Sequence, residues 1–258
     1  MQYKIDPGVT KIVEKIESAG FEAWIVGGAV RDLLLGLPAY DWDVTTSATP
    51  EEIVPLFEEC FYDNEYGTVK VAGKHIREQF QLAEGDIDDS TLYDITTYRS
   101  ESEYSDNRRP DKVEWGKTIE EDLKRRDFTI NAIALRQAQG KPMEIVDPYS
   151  GQADITARLI RAVGDPTERF EEDALRIMRA VRLCAQLGFL IEDKTLQARK
   201  SKVANLTKIS WERIGAETMK LLSTDNAADG VMLMHNIGVL EIVIPEMAGT
   251  KEVKQGGH

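Results

Sequence analysis

Apolar residues in the first segment recur at Val9, Ile12, Val13, Ile16 and Ala19, the three-and-four spacing of a helix with one buried face, and Gly20 closes it. The pattern then switches. Phe21 to Val26 is a continuous aromatic and β-branched run that predicts a short strand. The pair Gly27-Gly28 predicts a turn, and Ala29 to Leu35, closed by Gly36, predicts a helix. A second strand is expected from Asp41 to Thr45, followed by a capping box at Thr49-Pro50-Glu51-Glu52 and a helix that Pro55 shortens or kinks. Gly67 to Ala72 and Leu92 to Tyr98 have strand character; between them, His75 to Ser90 is polar and acidic without a clean period and reads as an inserted loop. Tyr98 to Pro110 is also loop-like. Thr118-Ile119-Glu120-Glu121 is a second capping box that opens a short basic helix, and Phe128 to Leu135 returns to strand character.

From Asp147 onward the period is helical: Gln152 to Arg158, Glu171 to Leu187 stopped by Gly188, Ser210 to Leu222, and Asn226 to Asn236. The expected fold is an α/β head, a mixed sheet with helices, over 1–147. An all-helical neck follows over 148–223, and the start of a helical body over 224–258.

Composition narrows the class. In 258 residues, 42% are hydrophobic and 30% charged, and no apolar run approaches the roughly 18 residues needed to span a bilayer, so no membrane partner is expected. The N-terminal segment lacks the apolar core of a secretory signal, and Cys60 and Cys184 show no metal or redox spacing; the cytoplasm is the expected location. The net charge of −13 speaks against a bulk electrostatic grip on nucleic acid. Cations are nevertheless clustered, at Arg99, Arg108-Arg109, Lys124-Arg125-Arg126 and Arg176, Arg179 and Arg182, which leaves room for a local basic groove. Nothing in the sequence points to a protein partner.

Four motifs carry candidate chemistry. Gly27-Gly28, after a strand and before a helix, offers backbone amides to a phosphate tail, with Arg31 and Asp32 following in the first turn; alone, such a pair is more often only a tight turn. Asp41-Trp42-Asp43 on a strand would point both carboxylates to one face, which suits a divalent cation and, by oxygen hardness, Mg²⁺. On its own the same pattern is more often a solvated strand face. Asp94, on another predicted strand, is a candidate third ligand or base.

The run from Asp122 to Ala132 mixes guanidiniums with carboxylate, hydroxyl and amide groups. It contains Arg125, Arg126, Asp127 and Asn131, types that suit phosphate and ribose, although a salt-bridged helix end looks similar. On the predicted helix from Glu171, an apolar stripe of Ala174, Ile177, Met178, Val181 and Cys184 leaves Glu172, Arg176 and Arg179 on the other face with Asp173 at its edge. Asp173 beside Arg176 offers an acceptor and a donor together, the complement of the exocyclic amine and ring nitrogen of cytosine or adenine. Uracil and guanine present a carbonyl and an N–H there instead. An intrahelical ion pair is the ordinary alternative.

Gly27-Gly28-Ala29-Val30-Arg31-Asp32, Asp41-x-Asp43, Arg125-Arg126-Asp127-Phe128-Thr129-x-Asn131-Ala132 and Arg169-Phe170-Glu171-Glu172-Asp173-Ala174-Leu175-Arg176 occur in that order. Together they resemble the bacterial-type (class II) tRNA nucleotidyltransferase and poly(A) polymerase family, in particular its CCA-adding members. The likeness runs from about Phe21 to Leu222.

The resemblance implies Mg²⁺ held by Asp41 and Asp43, the triphosphate held by Gly27, Gly28 and Arg31, and the ribose met by Arg125, Arg126, Asp127 and Asn131. Glu172, Asp173 and Arg176 correspond to an amino-acid template for the incoming base, and Ser210, Glu212 and Arg213 to a motif that supports it. The segment from Arg99 through Asp106, Arg108, Arg109 and Pro110 resembles the loop that switches such enzymes from CTP to ATP. The implied reaction is attack of the tRNA 3′ hydroxyl on the α-phosphate of CTP or ATP, with pyrophosphate leaving. Other expectations compatible with the motifs are a CC-adding, A-adding or poly(A) enzyme, or a non-catalytic nucleotide- or RNA-binding module. A dinucleotide-binding dehydrogenase is excluded, because the glycine turn lacks G-x-G-x-x-G. The chain is also expected to be a fragment, since it stops well short of a complete body and tail.

Overall fold

β1 (Ala23–Val26) is buried along its whole length, which is why its sequence is continuously apolar rather than alternating. It pairs antiparallel with β2 (Asp43–Thr46) on one side and with β6 (Ala134–Arg136) on the other. β2 pairs parallel with β5 (Leu92–Thr97). The sheet continues antiparallel through β4 (Thr68–Ala72) to β3 (Phe61–Asp63) at one edge, and through β7 (Glu144–Val146) at the other. The seven strands run in the order β3-β4-β5-β2-β1-β6-β7. This is the computed structural model of the chain, describing residues 4–63, 67–100, 115–137 and 143–247. Its described residues up to Thr156 form one compact unit and those from Ala157 on a second.

Two helices position the head's functional turn. In α1 (Pro7–Ser18), Asp6 caps the N-terminus by accepting from the Val9 amide at 3.0 Å, and Val9, Ile12, Val13 and Ile16 are buried. α2 (Gly28–Leu35) begins at the glycine turn and ends on Gly36 with a φ of +72°, the left-handed stop its glycine predicts. The first capping box forms: Thr49 N–H donates to the Glu52 carboxylate at 2.8 Å at the start of α3 (Pro50–Ile53), and Pro55 tightens the chain into a 3₁₀ turn over Val54–Leu56.

The stretch expected to be an inserted loop starts as a helix instead, α4 (Gly73–Gln79). Its one fully buried apolar residue is Ile76, too little to declare a period, so tertiary packing and not pattern decides it. The strand expected over Phe128 to Leu135 is interrupted by a 3₁₀ turn at Thr129–Asn131. Buried polar side chains hold that turn: Thr129 Oγ1 donates to Asp154 at 2.7 Å, and Asn131 accepts from Arg31 at 2.8 Å. Thr118 caps α5 (Ile119–Lys124), but Glu121 takes the amide of Lys117 rather than that of Thr118, so only half of the second box is present. The expected switching loop runs from Arg99 to Pro110, and from residue 101 on it lies outside the described residues.

α6 (Gly151–Ala157) packs so closely on the head that a Cβ on Gly151 would lie 2.2 Å from the Thr129 carbonyl. In the second unit a short parallel pair, β8 (Leu159–Ile160) with β9 (Leu190–Ile191), accompanies helices. The helix expected over Glu171–Leu187 is two: α7 (Pro166–Glu172) and α8 (Leu175–Leu187). Asp173 breaks it. Its backbone is extended (φ −149°, ψ 102°) where it ends α7, and its carboxylate accepts from the Leu175 amide at 3.1 Å, so an acid that competes for backbone N–H groups takes the first amide of the second helix. α9 (Asp193–Ala198), α10 (Trp211–Leu222), α11 (Ala227–Asn236) and α12 (Leu240–Val243) follow. One core running from Phe170 to Val243 joins α7 and α8 to α10, α11 and α12. Among the described residues, no helix is long and apolar enough to cross a membrane.

Candidate active site

At the end of β1 the chain turns through Gly27, whose φ of +79° and ψ of −143° fall where only glycine sits without strain. A Cβ there would also stand 3.1 Å from Asp43 Oδ2 and 3.4 Å from Arg126 Nη1. Gly27 therefore serves both the turn into α2 and the close approach of two candidate site residues. The first amides of α2 have no intrahelical acceptors, the property that makes a helix start a place for phosphate. Gly27→Ala is expected to cost roughly 1–3 kcal/mol of head stability and to weaken triphosphate binding, as read by thermal unfolding and by CTP titration.

Asp43 opens β2, whereas Asp41 precedes the strand, so only one of the expected pair is a ladder residue. Trp42 between them is buried, and its carbonyl accepts from the Asp94 amide at 3.4 Å, carrying the pairing one step beyond the strand. Burial pushes the Asp43 carboxyl up to about 6, with Asp94 and Asp41 adding to the rise against Arg126 and Lys70. Asp32 is also raised by burial, with Asp41 contributing and Arg31 opposing. Carboxylates that hold one another up in this way gain from a cation among them.

Asp94 does sit beside Asp43, as its cross-strand partner, but both its oxygens accept from Lys70 Nζ, at 3.1 and 2.9 Å. Asp94, expected as a third ligand or base, is thus engaged on both oxygens by Lys70 in this structure. Among the described residues, no group of three or more His, Cys, Asp or Glu side chains is arranged to hold a metal. Two carboxylates remain, the donor set Mg²⁺ commonly takes when phosphates and waters complete its shell.

The basic side of this site is anchored from below. Asp122, fully buried, accepts from Arg125 Nη2 at 2.5 Å and Arg126 Nη2 at 2.9 Å. Burial opposes its ionisation, but the two guanidiniums outweigh it and hold the carboxyl down at about 2. Arg31 is only 5% exposed; its guanidinium donates to Asp32 at 2.9 Å and to Asn131 Oδ1 at 2.8 Å. Asn131 in turn donates to Asp127 at 3.2 Å, and Asp127 also accepts from the Phe128 amide. In this structure Arg31, Asp32, Asp127 and Asn131 form one chain of hydrogen bonds that fixes the glycine turn against the 3₁₀ turn.

In the second unit the α7–α8 break gathers a ladder of ion pairs. Glu172 takes Arg169 at 2.5 Å and Arg176 at 2.6 Å, and Arg176 also donates to the Arg169 carbonyl at 3.1 Å. Asp173 accepts from Arg213 Nη2 at 2.6 Å, and Glu217 receives Arg182 at 2.6 Å and Arg179 at 3.5 Å. Asp173 and Arg176 are therefore each held from behind, and they are linked to one another by a backbone bond from the Arg176 amide to the Asp173 carbonyl at 3.1 Å.

Lys70, Asp122 and Glu217 were not singled out from sequence. Lys70 had a local signal in the alternation of Thr68-Val69-Lys70-Val71, which puts it on the exposed face. The burial of Asp122 and Glu217 had none.

The head's strand, glycine turn and acidic site lie within a region that matches the family described as "Poly A polymerase head domain" over residues 23–161. The chain belongs to that family. A second match, over residues 188–250, is to a family described as "Probable RNA and SrmB- binding site of polymerase A". Proteins similar to this poly A polymerase family member include the CCA-adding enzyme of Ligilactobacillus salivarius, 49% identical over 85% of this chain and 50% of that protein. The CCA-adding enzyme of Leuconostoc citreum is likewise 49% identical, over the same shares. The crystal structure of the Bacillus stearothermophilus CCA-adding enzyme in complex with CTP superposes with a TM-score of 0.79 at 36% identity, over 96% of this chain and 56% of that one. The chain spans about half the length of the curated relatives it matches.

Proposed function

We propose that this chain carries out nucleotidyl transfer to the 3′ end of tRNA, adding C, C and A from CTP and ATP without a nucleic-acid template. The observation that carries this reading is the acidic site where β1 ends and β2 begins, with Asp43 crowded by Asp41 and Asp94 beside the glycine turn and Arg126. The family membership and the likeness to enzymes named as CCA-adding support the choice of reaction, and the absence of a long apolar helix among the described residues is in keeping with work in the cytoplasm.

Asp41 and Asp43 would hold a divalent cation, for which we propose Mg²⁺ on the hardness of the oxygen donors. Such an ion, when bound, supplies charge stabilisation for the phosphoryl oxygens and lowers the pKa of the attacking hydroxyl. The chain's own residues do the rest. Gly27 and Gly28 present backbone amides to the triphosphate, and Arg126 and Arg125, fixed by Asp122, place positive charge where the pyrophosphate departs. Asp127 and Asn131 offer polar atoms to the ribose, with Arg31 and Asp32 bracing them. In the helical unit, Asp173 and Arg176 pair with the amine and ring nitrogen of cytosine or adenine, while Glu172, ion-paired to Arg176, and Arg213, ion-paired to Asp173, keep the pair in register.

Incubating end-labelled tRNA that lacks its 3′ terminus with CTP alone, ATP alone and both tests the reading. Two additions with CTP and a third only when ATP is present support it. A long A-tail, a single A, or no extension each removes it. For the template, Arg176→Ala is expected to lose about 1–3 kcal/mol of base discrimination, so that UTP and GTP incorporation rises roughly 5- to 150-fold relative to CTP. Rejection of UTP and GTP at the original level, in a variant that melts normally, would remove the template assignment.

A further inference from the structure

Three charged side chains stand in one row across the head sheet, and the row is dictated by strand register. On β4, Val69 and Val71 are fully buried, so Lys70 between them faces the other side of the sheet. Tyr93 and Ile95 on β5 are also fully buried, which puts Asp94 on that same opposite face; Val44 on β2 does the same for Asp43. The pairing then sets Lys70 against Asp94 and Asp94 against Asp43. Two like charges directly opposite each other on neighbouring strands destabilise a sheet. Here the lysine grips both oxygens of the outer acid, with Nζ 2.9 and 3.1 Å away.

We propose that Lys70 is a positioning residue that neutralises Asp94 and withdraws it from the neighbouring cation site, leaving Asp41 and Asp43 to set the affinity for a divalent ion. The inference rests on the reading of Asp41 and Asp43 as cation ligands. A lysine ammonium is a compact point charge that competes with a metal ion for the same oxygens. While it holds Asp94, the site presents two effective negative charges rather than three. Its affinity stays low enough for the ion to arrive with a triphosphate and to leave with pyrophosphate. Removing the ammonium returns the third charge, and with it a further potential ligand.

The test is calorimetric titration of Mn²⁺ into the purified chain, without nucleotide, for the original protein, Lys70→Met, Lys70→Arg, Asp94→Asn and the Lys70→Met/Asp94→Asn double variant, with circular dichroism on each. Lys70→Met is expected to bind Mn²⁺ roughly tenfold more tightly. Lys70→Arg should stay within about twofold of the original, since it keeps the charge. Asp94→Asn alone should weaken binding, because it leaves the Lys70 ammonium uncompensated beside the site, and adding it to Lys70→Met should abolish the gain. Lys70 is on the sheet surface, and Lys70→Gln provides a second neutral variant should the methionine disturb the fold. Unchanged or weaker binding in the neutral variants, or a gain that persists without Asp94, overturns the inference. An Asp43→Asn control separates the two layers. If Mn²⁺ binding in the original protein does not depend on Asp43, the cation site itself is refuted and this inference goes with it. If binding depends on Asp43 but not on Lys70, only the role of Lys70 falls.

Discussion

Asp43→Asn is expected to lose nucleotidyl transfer by on the order of a thousandfold or more while making the head more stable at neutral pH. The two effects have one cause. Asp43 is held in a desolvated place beside two other carboxylates, and its carboxyl rises to about 6. A carboxylate whose folded pKa lies above its unfolded one gives the fold its full support only when protonated, below about pH 4. That support is lost as pH rises through 6, so at neutral pH the ionised group works against folding in the absence of a cation. Asparagine keeps the shape and removes the charge, which should return roughly 2–3 kcal/mol at pH 7.5 and almost nothing at pH 4. Denaturant unfolding at the two pH values, alongside single-turnover extension of tRNA, reads both quantities. A variant that is inactive because it is unfolded, or whose gain in stability over the original protein is the same at both pH values, contradicts this account of the site.

Asp122→Ala should have the largest effect on stability, about 3–5 kcal/mol, because it leaves two guanidiniums in a buried place without their common acceptor. The side chain is fully buried and binds Arg125 and Arg126, and its Oδ1 accepts from the Arg99 amide at 3.4 Å. For the head unit's transition this corresponds to a fall in melting temperature of roughly 6–20 °C. The pH dependence has the opposite sign to that of Asp43. Asp122 is held down at about 2, so its contribution is complete above the unfolded carboxylate value near 4 and disappears as pH falls towards 2. Activity should fall further than stability alone accounts for, because Arg126 loses the anchor that keeps it beside Gly27 and Asp43. Melting curves that match the original protein down to pH 3 would show that the buried network does not hold the head together.

What was legible in the sequence was local. The strand, glycine turn and helix around Gly27 could be read because a glycine pair between a β-branched run and an amphipathic run leaves few alternatives; the positive φ of Gly27 came only with the structure. The Asp41-x-Asp43 spacing could be read as well, although the strand begins only at Asp43. What depended on pairing could not. Lys70 belongs to the site through the register of β4 on β5, which no window around residue 70 contains. Asp122 looks like an ordinary first-turn acid of a charged helix, and its burial is a property of what packs over it. The break at Asp173 was hidden for a related reason: no glycine or proline marks it, the apolar stripe runs on either side, and only the carboxylate's preference for the Leu175 amide and Arg213 turns one helix into two. The break also changes the meaning of the template pair. Asp173 and Arg176 are not neighbours on a regular helical face but a cap and a first-turn residue, which fixes their directions more tightly than a solvent-facing ion pair would.

The most direct test is a crystal of the protein grown with CTP and Mn²⁺, measured at the manganese absorption edge. The account predicts an anomalous peak ligated by Asp43 and Asp41 and by phosphate oxygens, next to the Gly27-Gly28 turn. A peak elsewhere, or a bound triphosphate with Asp43 locked onto Arg126 and no ion beside it, contradicts it.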